Sequence, residues 1–343
     1  MLLAQFARHR PLLSVPGAAL SRAASTYGSL DSPLVNPAFI DVALSQLLKN
    51  KKAKKNDVNE FIDHYKTRMN RQNFISVLRG CRRRQVLEPR HIYTAACGLK
   101  YADDAPLDSA QLDQIFQSIS FMSHRVASVR VLLTVTTEAL QNCDEKFSID
   151  QLANFMFSLI HMKSGVPEVR DMVNVVMSKL ADADDSISNE SASKLIGGFR
   201  GLSSKYPEVQ RALAIVLEKL QRYCDVSPFN ENELSRALYG IKRLNMEQND
   251  VQQLSAFILS KVGSCQMNGA QLSQAIHAVQ SVDTDVAEAK KLFQFLAQQV
   301  EQLDNQQNLN AKSVNDVLTS MGSTNANSND ILILTTALKS KLA

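Results

Sequence analysis

From Leu112 onward the sequence repeats itself. LDQIFQSISFM, LANFMFSLIHM, ASKLIGGFRGL, LSRALYGIKRL, LSQAIHAVQSV and VNDVLTSMGST begin at Leu112, Leu152, Ala192, Leu234, Leu272 and Val314, in steps of 40, 40, 42, 38 and 42 residues. A second apolar segment follows each one, anchored 17 residues on at Val129, Val169, Val209, Val251, Ala289 and Ile331. It closes 11 residues later, at Leu140, Leu180, Leu220, Val262, Val300 and Leu342. Six copies that hold both offsets without a gap constrain the fold more than any other feature of the chain.

Both segments carry helical periodicity. In the first, apolar residues fall at offsets 0, 3, 4 and 7, as in Leu234, Ala237, Leu238 and Ile241. Offset 6 is small in every copy (Ser118, Ser158, Gly198, Gly240, Ala278, Ser320), which lets a neighbouring helix approach closely. In the second, Val169, Met172, Val173, Val176 and Leu180 form one stripe. Glu168, Glu208, Asp250, Glu288 and Asp330 precede its anchors, where an acid meets the positive end of the helix dipole. Pro167 and Pro207 begin second helices, where the missing N–H costs nothing, and Lys179, Lys219, Lys261 and Lys341 fall in last turns.

A helix pair of this kind cannot bury both stripes alone, so consecutive pairs must stack. The expected fold is all-α, an α-solenoid of antiparallel helix pairs with a repeat of about 40 residues over 107–343. Residues 26–106 read as a basic helical region. There Pro37 to Lys49 with Asp57 to Met69, and Phe74 to Arg84 with Pro89 to Lys100, suggest degenerate pairs or an N-terminal cap. The scarcity of helix breakers, 9 Pro and 12 Gly in 343 residues, agrees with this.

The first 25 residues, MLLAQFARHRPLLSVPGAALSRAAS, contain Arg8, Arg10 and Arg22, several Leu, Ala and Ser, and no acid. That composition is expected of a mitochondrial transit peptide, processed before Thr26, and places the mature chain in the matrix. No apolar run reaches the roughly 18 residues that span a bilayer. Cys81, Cys97, Cys143, Cys224 and Cys265 are scattered, without a CxxC, and read as inert thiols of a reducing compartment. The six histidines form no i, i+4 ligand pair, and no phosphate-loop or nucleophile-elbow motif occurs. A non-catalytic protein that needs no cofactor, metal or small-molecule substrate is expected.

Charge divides the chain. Residues 1–100 hold 17 Lys and Arg against 6 acids, whereas the remainder holds 21 against 28. Lys51, Lys52, Lys54, Lys55, Arg79, Arg82, Arg83, Arg84 and Arg90 concentrate the excess, as phosphate-binding residues for RNA or as a solvated region balancing an acidic body. Lys194, Arg200, Arg236, Lys242 and Arg243 align as a short stripe beside Tyr239, which could add base stacking. The simpler reading is a solvated helix face, because Gln114, Asn154, Gln274 and Asp316 interrupt the same column. GGFRG at 197–201 sits at a packing position inside a helix, and DADD at 182–185 is an inter-repeat turn.

The last copy differs at the two positions after its second anchor. Arg170 and Asp171, Gln210 and Arg211, Gln252 and Gln253, and Lys290 and Lys291 are polar; Leu332 and Ile333 are not. With the sequence stopping at Ala343, these two side chains are expected to face a protein partner or a second copy of the chain.

Helices such as LSRALYGIKRL and LANFMFSLIHM resemble those of organellar helical-repeat proteins, the octotricopeptide-like and ARM/HEAT-like arrays, across residues 107–343. The Gln- and Asn-rich loops and the presequence are also similar to the helical-repeat subunits of the kinetoplastid mitochondrial RNA-editing substrate-binding complex. The resemblance implies a non-catalytic scaffold of a mitochondrial ribonucleoprotein acting in RNA processing or editing. It would bind proteins through the repeats and RNA through its basic N-terminal region. Two other expectations stand: a structural subunit of a mitochondrial ribosome or inner-membrane energy complex, and a direct sequence-specific RNA-binding repeat protein.

Overall fold

The computed structural model describes residues 37–50, 55–84, 88–102, 105–279, 286–303, 309–322 and 329–342. The transit-peptide expectation on residues 1–25 lies outside them. Sixteen α-helices and no β-strand occur among the described residues, and the chain divides into two compact units between Asp104 and Ala105. No described helix is long and apolar enough to cross a membrane.

The first unit contains α1 (Pro37–Lys49), α2 (Lys55–Tyr65), α3 (Arg71–Arg84) and α4 (Pro89–Tyr101). The 3–4 spacing of Phe39, Ile40, Ala43, Leu44 and Leu47 gives α1 a single buried face, which packs on α2 and α3. Helix α4 lies on α3 where Gly98 has no side chain: a Cβ there would stand 2.1 Å from the Phe74 ring. The Asn73 carboxamide donates to the Pro37 carbonyl at 2.9 Å, and the Ser76 hydroxyl donates to Asp41 at 2.5 Å, tying α3 to α1.

The second unit is an α-solenoid of six helix pairs. The first helices are α5 (Ser109–Ile119), α7 (Ile149–Ser158), α9 (Asn189–Gly197), α11 (Glu231–Gly240), α13 (Gly269–Ala275) and α15 (Ala311–Gly322). The second helices are α6 (Ala127–Gln141), α8 (Pro167–Ala181), α10 (Pro207–Tyr223), α12 (Asn249–Ser260), α14 (Ala287–Gln302) and α16 (Asn329–Leu342). First helices pack on first helices of adjoining pairs and second helices on second helices, giving two layers with the core between them. Every anchor of both helices lies in that core: Leu112, Leu152, Ala192, Leu234, Leu272 and Val314 are wholly buried, and none of the second-helix anchors is more than 6% exposed. Each such Leu or Phe contributes roughly 1.5–3 kcal/mol by leaving water. Phe116 and Phe155 stack across the first two pairs with centroids 4.1 Å apart.

Local chemistry sets where the first helices start. Asp108, Ser148, Asn230 and Asn268 accept from backbone N–H groups of the opening turn, while Gln111, Gln151, Glu233 and Gln271 reach back to complete capping boxes. The sequence carries this D/S/N-x-x-Q/E signal four residues before each of these anchors. Three first helices then tighten into 3-10 turns, at Gly198–Gly201, Ile241–Arg243 and Ile276–Val279. GGFRG is therefore not inside a continuous α-helix: α9 ends at Gly197, and the remaining four residues form the tighter turn. A Cβ on Gly201 would meet the Met162 carbonyl oxygen at 1.8 Å, so this turn brings the backbones of adjoining pairs into contact.

The last-turn lysines do more than meet the helix dipole. Lys179 donates to the Cys143 carbonyl (2.8 Å), Lys219 to Ala183 (2.5 Å), Lys261 to Ser227 (3.1 Å) and Lys341 to Leu303 (2.7 Å). Each acceptor lies in the turn entering its own pair, so every ammonium ties a second helix to the connection from the preceding pair. In the fifth pair Gln299 holds the same place and accepts the Met267 N–H at 3.1 Å.

Candidate nucleic-acid interface

The N-terminal basic residues divide into three groups. Lys51, Lys52 and Lys54 lie outside the described residues, and the side chains of Lys55, Arg82, Arg83 and Arg84 lie outside them too, although their backbones belong to α2 and α3. Arg79 is exposed on α3. Arg90 is engaged within the unit: its guanidinium pairs with Asp63 at 3.1 Å and Glu88 at 2.9 Å. Beside it His91 is wholly buried, with Nε2 3.4 Å from Asp63. Burial pulls the imidazole below its ordinary value; Asp63 works in the opposite direction and Arg90 adds to the lowering.

Leu332 and Ile333 stand out on α16, 64% and 47% exposed, between the buried Ile331 and Leu334. The polar residues at the matching place of earlier pairs have a local task. Arg170 donates to the Ser164 carbonyl (2.7 Å), Gln210 to Ser204 (2.8 Å) and Gln252 to Met246 (3.0 Å), each bending back to the loop within its own pair. Leu332 has no donor for such a bond.

A groove of about 490 Å³ opens on the first-helix layer of the second to fifth pairs. Phe157 and Ile160 come from the second pair, Gly197 and Arg200 from the third, Asn232, Ser235, Arg236 and Tyr239 from the fourth, and Asn268, Ala270, Gln271 and Gln274 from the fifth. Two arginines and no carboxylate line it. Residues from four different pairs converge because the first helices touch backbone to backbone and Gly197 leaves a gap. A Cβ on Gly197 would stand 2.9 Å from Arg236 Cγ and 3.3 Å from the Phe157 ring.

The arginines are not the freely solvated charges expected of a helix face. Arg200 lies over the Tyr239 ring at 4.0 Å, and Arg236 lies over the Phe157 ring at 5.2 Å while donating to the Ser193 hydroxyl at 3.0 Å. Both are half-buried, and neither forms an ion pair among the described residues. Lys194, by contrast, is spent on Glu190 at 2.7 Å. Tyr239 carries further neighbours, the Lys242 ammonium at 5.6 Å and the His277 ring at 5.6 Å with 29° between planes. The ring expected to stack a base is thus already occupied by Arg200.

Further basic groups stand close to Arg200. Burial first, then the charges of Arg200 and Arg243, pull the Lys242 ammonium below its usual value, against a weaker opposing pull from Asp316. Burial and Arg200 likewise lower His161. Single residues in the sequence hinted at this cluster, but its assembly depends on which first-helix side chains reach two pairs away.

These features define a helical-repeat protein with an all-α solenoid body. Comparison with protein-family models and with curated proteins finds no match.

Proposed function

We infer that the chain is a non-catalytic scaffold of a mitochondrial ribonucleoprotein complex acting in RNA processing or editing. The repeats hold protein subunits, and the basic N-terminal region contacts RNA. The observation that carries the protein-binding part is the pair Leu332 and Ile333, adjacent, apolar and exposed on α16. Side chains of this kind lose unfavourable water contact when a partner covers them. The acid-free, Arg-containing presequence supports mitochondrial import. The concentration of Lys and Arg before residue 100 supports RNA contact.

Affinity purification of the tagged full chain from mitochondria, with and without RNase, tests this reading. A set of proteins should be retained in both samples, with a second set and RNA lost after RNase. Recovery of respiratory-complex subunits alone, unchanged by RNase, overturns it in favour of an energy-complex subunit.

A further inference from the structure

The groove across α7, α9, α11 and α13 offers more donors than acceptors, because three of its four carboxamide oxygens already accept within the protein. Asn268 Oδ1 accepts the backbone N–H of Gln271 at 3.0 Å, and Gln271 Oε1 accepts the backbone N–H of Asn268 at 2.9 Å. A backbone N–H can only donate, so these two bonds fix which way both carboxamides face. The Gln271 NH2 group then donates to Asn232 Oδ1 at 2.8 Å, which fixes Asn232 as well. What faces a ligand is then mainly donors: the NH2 groups of Asn232 and Asn268 and the guanidinium edges of Arg200 and Arg236, beside the Gln274 carboxamide and the Tyr239 hydroxyl, which can both donate and accept. Each guanidinium carbon lies over an aromatic ring, and Arg236 is also tied to the Ser193 hydroxyl, so both groups are restrained before a ligand arrives.

We propose that this groove binds single-stranded RNA through its phosphodiester backbone. A phosphodiester carries acceptors and negative charge and no donor, matching the groups left over. An acidic peptide matches less well, because its main-chain N–H groups would enter a groove where the oxygens of Asn232, Asn268 and Gln271 already accept within the protein. The volume, about 490 Å³, suits a segment of one or two nucleotides. Half-burial of both arginines reduces screening of their charge by water. The source of the phosphates rests on the ribonucleoprotein reading above, whereas their place on the solenoid is independent of the N-terminal basic residues.

The test is binding of a short labelled single-stranded oligouridylate to the full mature chain, followed by fluorescence anisotropy at several salt concentrations. Arg200→Ala and Asn232→Asp are compared with wild type and with a variant neutralised at Lys51, Lys52, Lys54, Lys55, Arg82, Arg83 and Arg84. Asn232→Asp keeps the oxygen that accepts from Gln271 and replaces only the free NH2, so folding is preserved even where Arg200→Ala disturbs Tyr239. Each groove variant should weaken binding at least about tenfold: Arg200→Ala loses a hydrogen bond to a charged group, and Asn232→Asp loses one and adds repulsion of the phosphate. Arg200→Lys should not restore it, because an ammonium lacks the planar fork.

The neutralised variant should bind more weakly, with a flatter salt slope, yet still respond to the groove changes. Wild-type affinity in both folded groove variants overturns the groove and leaves the ribonucleoprotein reading standing. Absence of RNA from the purified complex, alongside groove-dependent binding by the isolated chain, sinks that reading and leaves the groove. Displacement of the oligonucleotide by polyglutamate as effectively as by unlabelled RNA makes the occupant an acidic peptide and overturns the proposal.

Discussion

The α-carbon of Gly240 faces the carbonyl of Ile196 so closely that a Cβ added there would stand 2.2 Å from that oxygen. Gly198 repeats the relationship one pair earlier, its Cβ position 2.6 Å from the Met156 carbonyl oxygen. In both cases the added carbon would clash with a backbone carbonyl, which cannot rotate away as a side chain can. First helices are therefore spaced by main chain, and the small residue at offset 6 is the condition for that spacing.

Gly240→Leu should separate α11 from α9 and cost about 1–3 kcal/mol through overpacking. Gly165→Ala is the matched control, because its Cβ would meet only the Tyr206 hydroxyl at 3.8 Å. Urea denaturation of both variants decides the matter: a shifted midpoint for Gly240→Leu and an unchanged one for Gly165→Ala are expected. Equal midpoints would contradict the packing.

The repeating lysine bonds predict a second cost. Lys219 is 6% exposed and holds the Ala183 carbonyl. Lys219→Met keeps the length and apolar stem but strands that oxygen, and should lower stability by about 1–3 kcal/mol. The exposed Lys339→Met on α16 should change little. Thermal melts of the two variants distinguish a clamp from ordinary surface charge, which would leave both unaffected.

How far the residues themselves disclosed this architecture depends on the length scale. Burial of one stripe per helix is a property of spacing along the chain, so the anchors Leu152 and Val169 and the all-α solenoid followed from periodicity. The small residues at offset 6 were readable as close-approach sites for the same reason. What Arg170, Gln210 and Gln252 do was not readable as surface polarity: they close loops six residues behind them, a bond that depends on loop shape. The groove was hidden more deeply. Arg236 reaches Phe157, two pairs away, only because Gly197 leaves the intervening helix bare, and no window along the sequence contains all three.

The buried histidine gives a pH dependence with a definite sign. His91 has its pKa lowered in the folded chain, chiefly by burial, from an ordinary 6.5. The unfolded chain then binds more protons than the folded one below that value, so stability falls as pH falls through it and is full above it. His124 and His161 are lowered too, mainly by burial, and act in the same direction. Denaturation midpoints between about pH 5 and 8 should decline on the acid side, and His91→Gln should flatten the curve. A midpoint that rises toward low pH would mean that Asp63 pairing outweighs burial.

Leu332 and Ile333 supply the last prediction. Their neighbours Ile331 and Leu334 are buried and anchor α16 to α14, so the exposed pair is not needed to hold the helix in place. Leu332→Lys with Ile333→Glu should therefore leave the melting temperature within a few degrees of wild type, as surface changes do. The same variant should release a protein partner or convert a homodimer to monomer, because both charges would lose their water against an apolar surface that offers them no partner. Native-gel mobility and pull-down recovery read the second effect, and circular dichroism reads the first. Unchanged complex size with an intact helix signal would rule out an interface on this face. Loss of the helix signal would mean instead that the two side chains pack back on the solenoid.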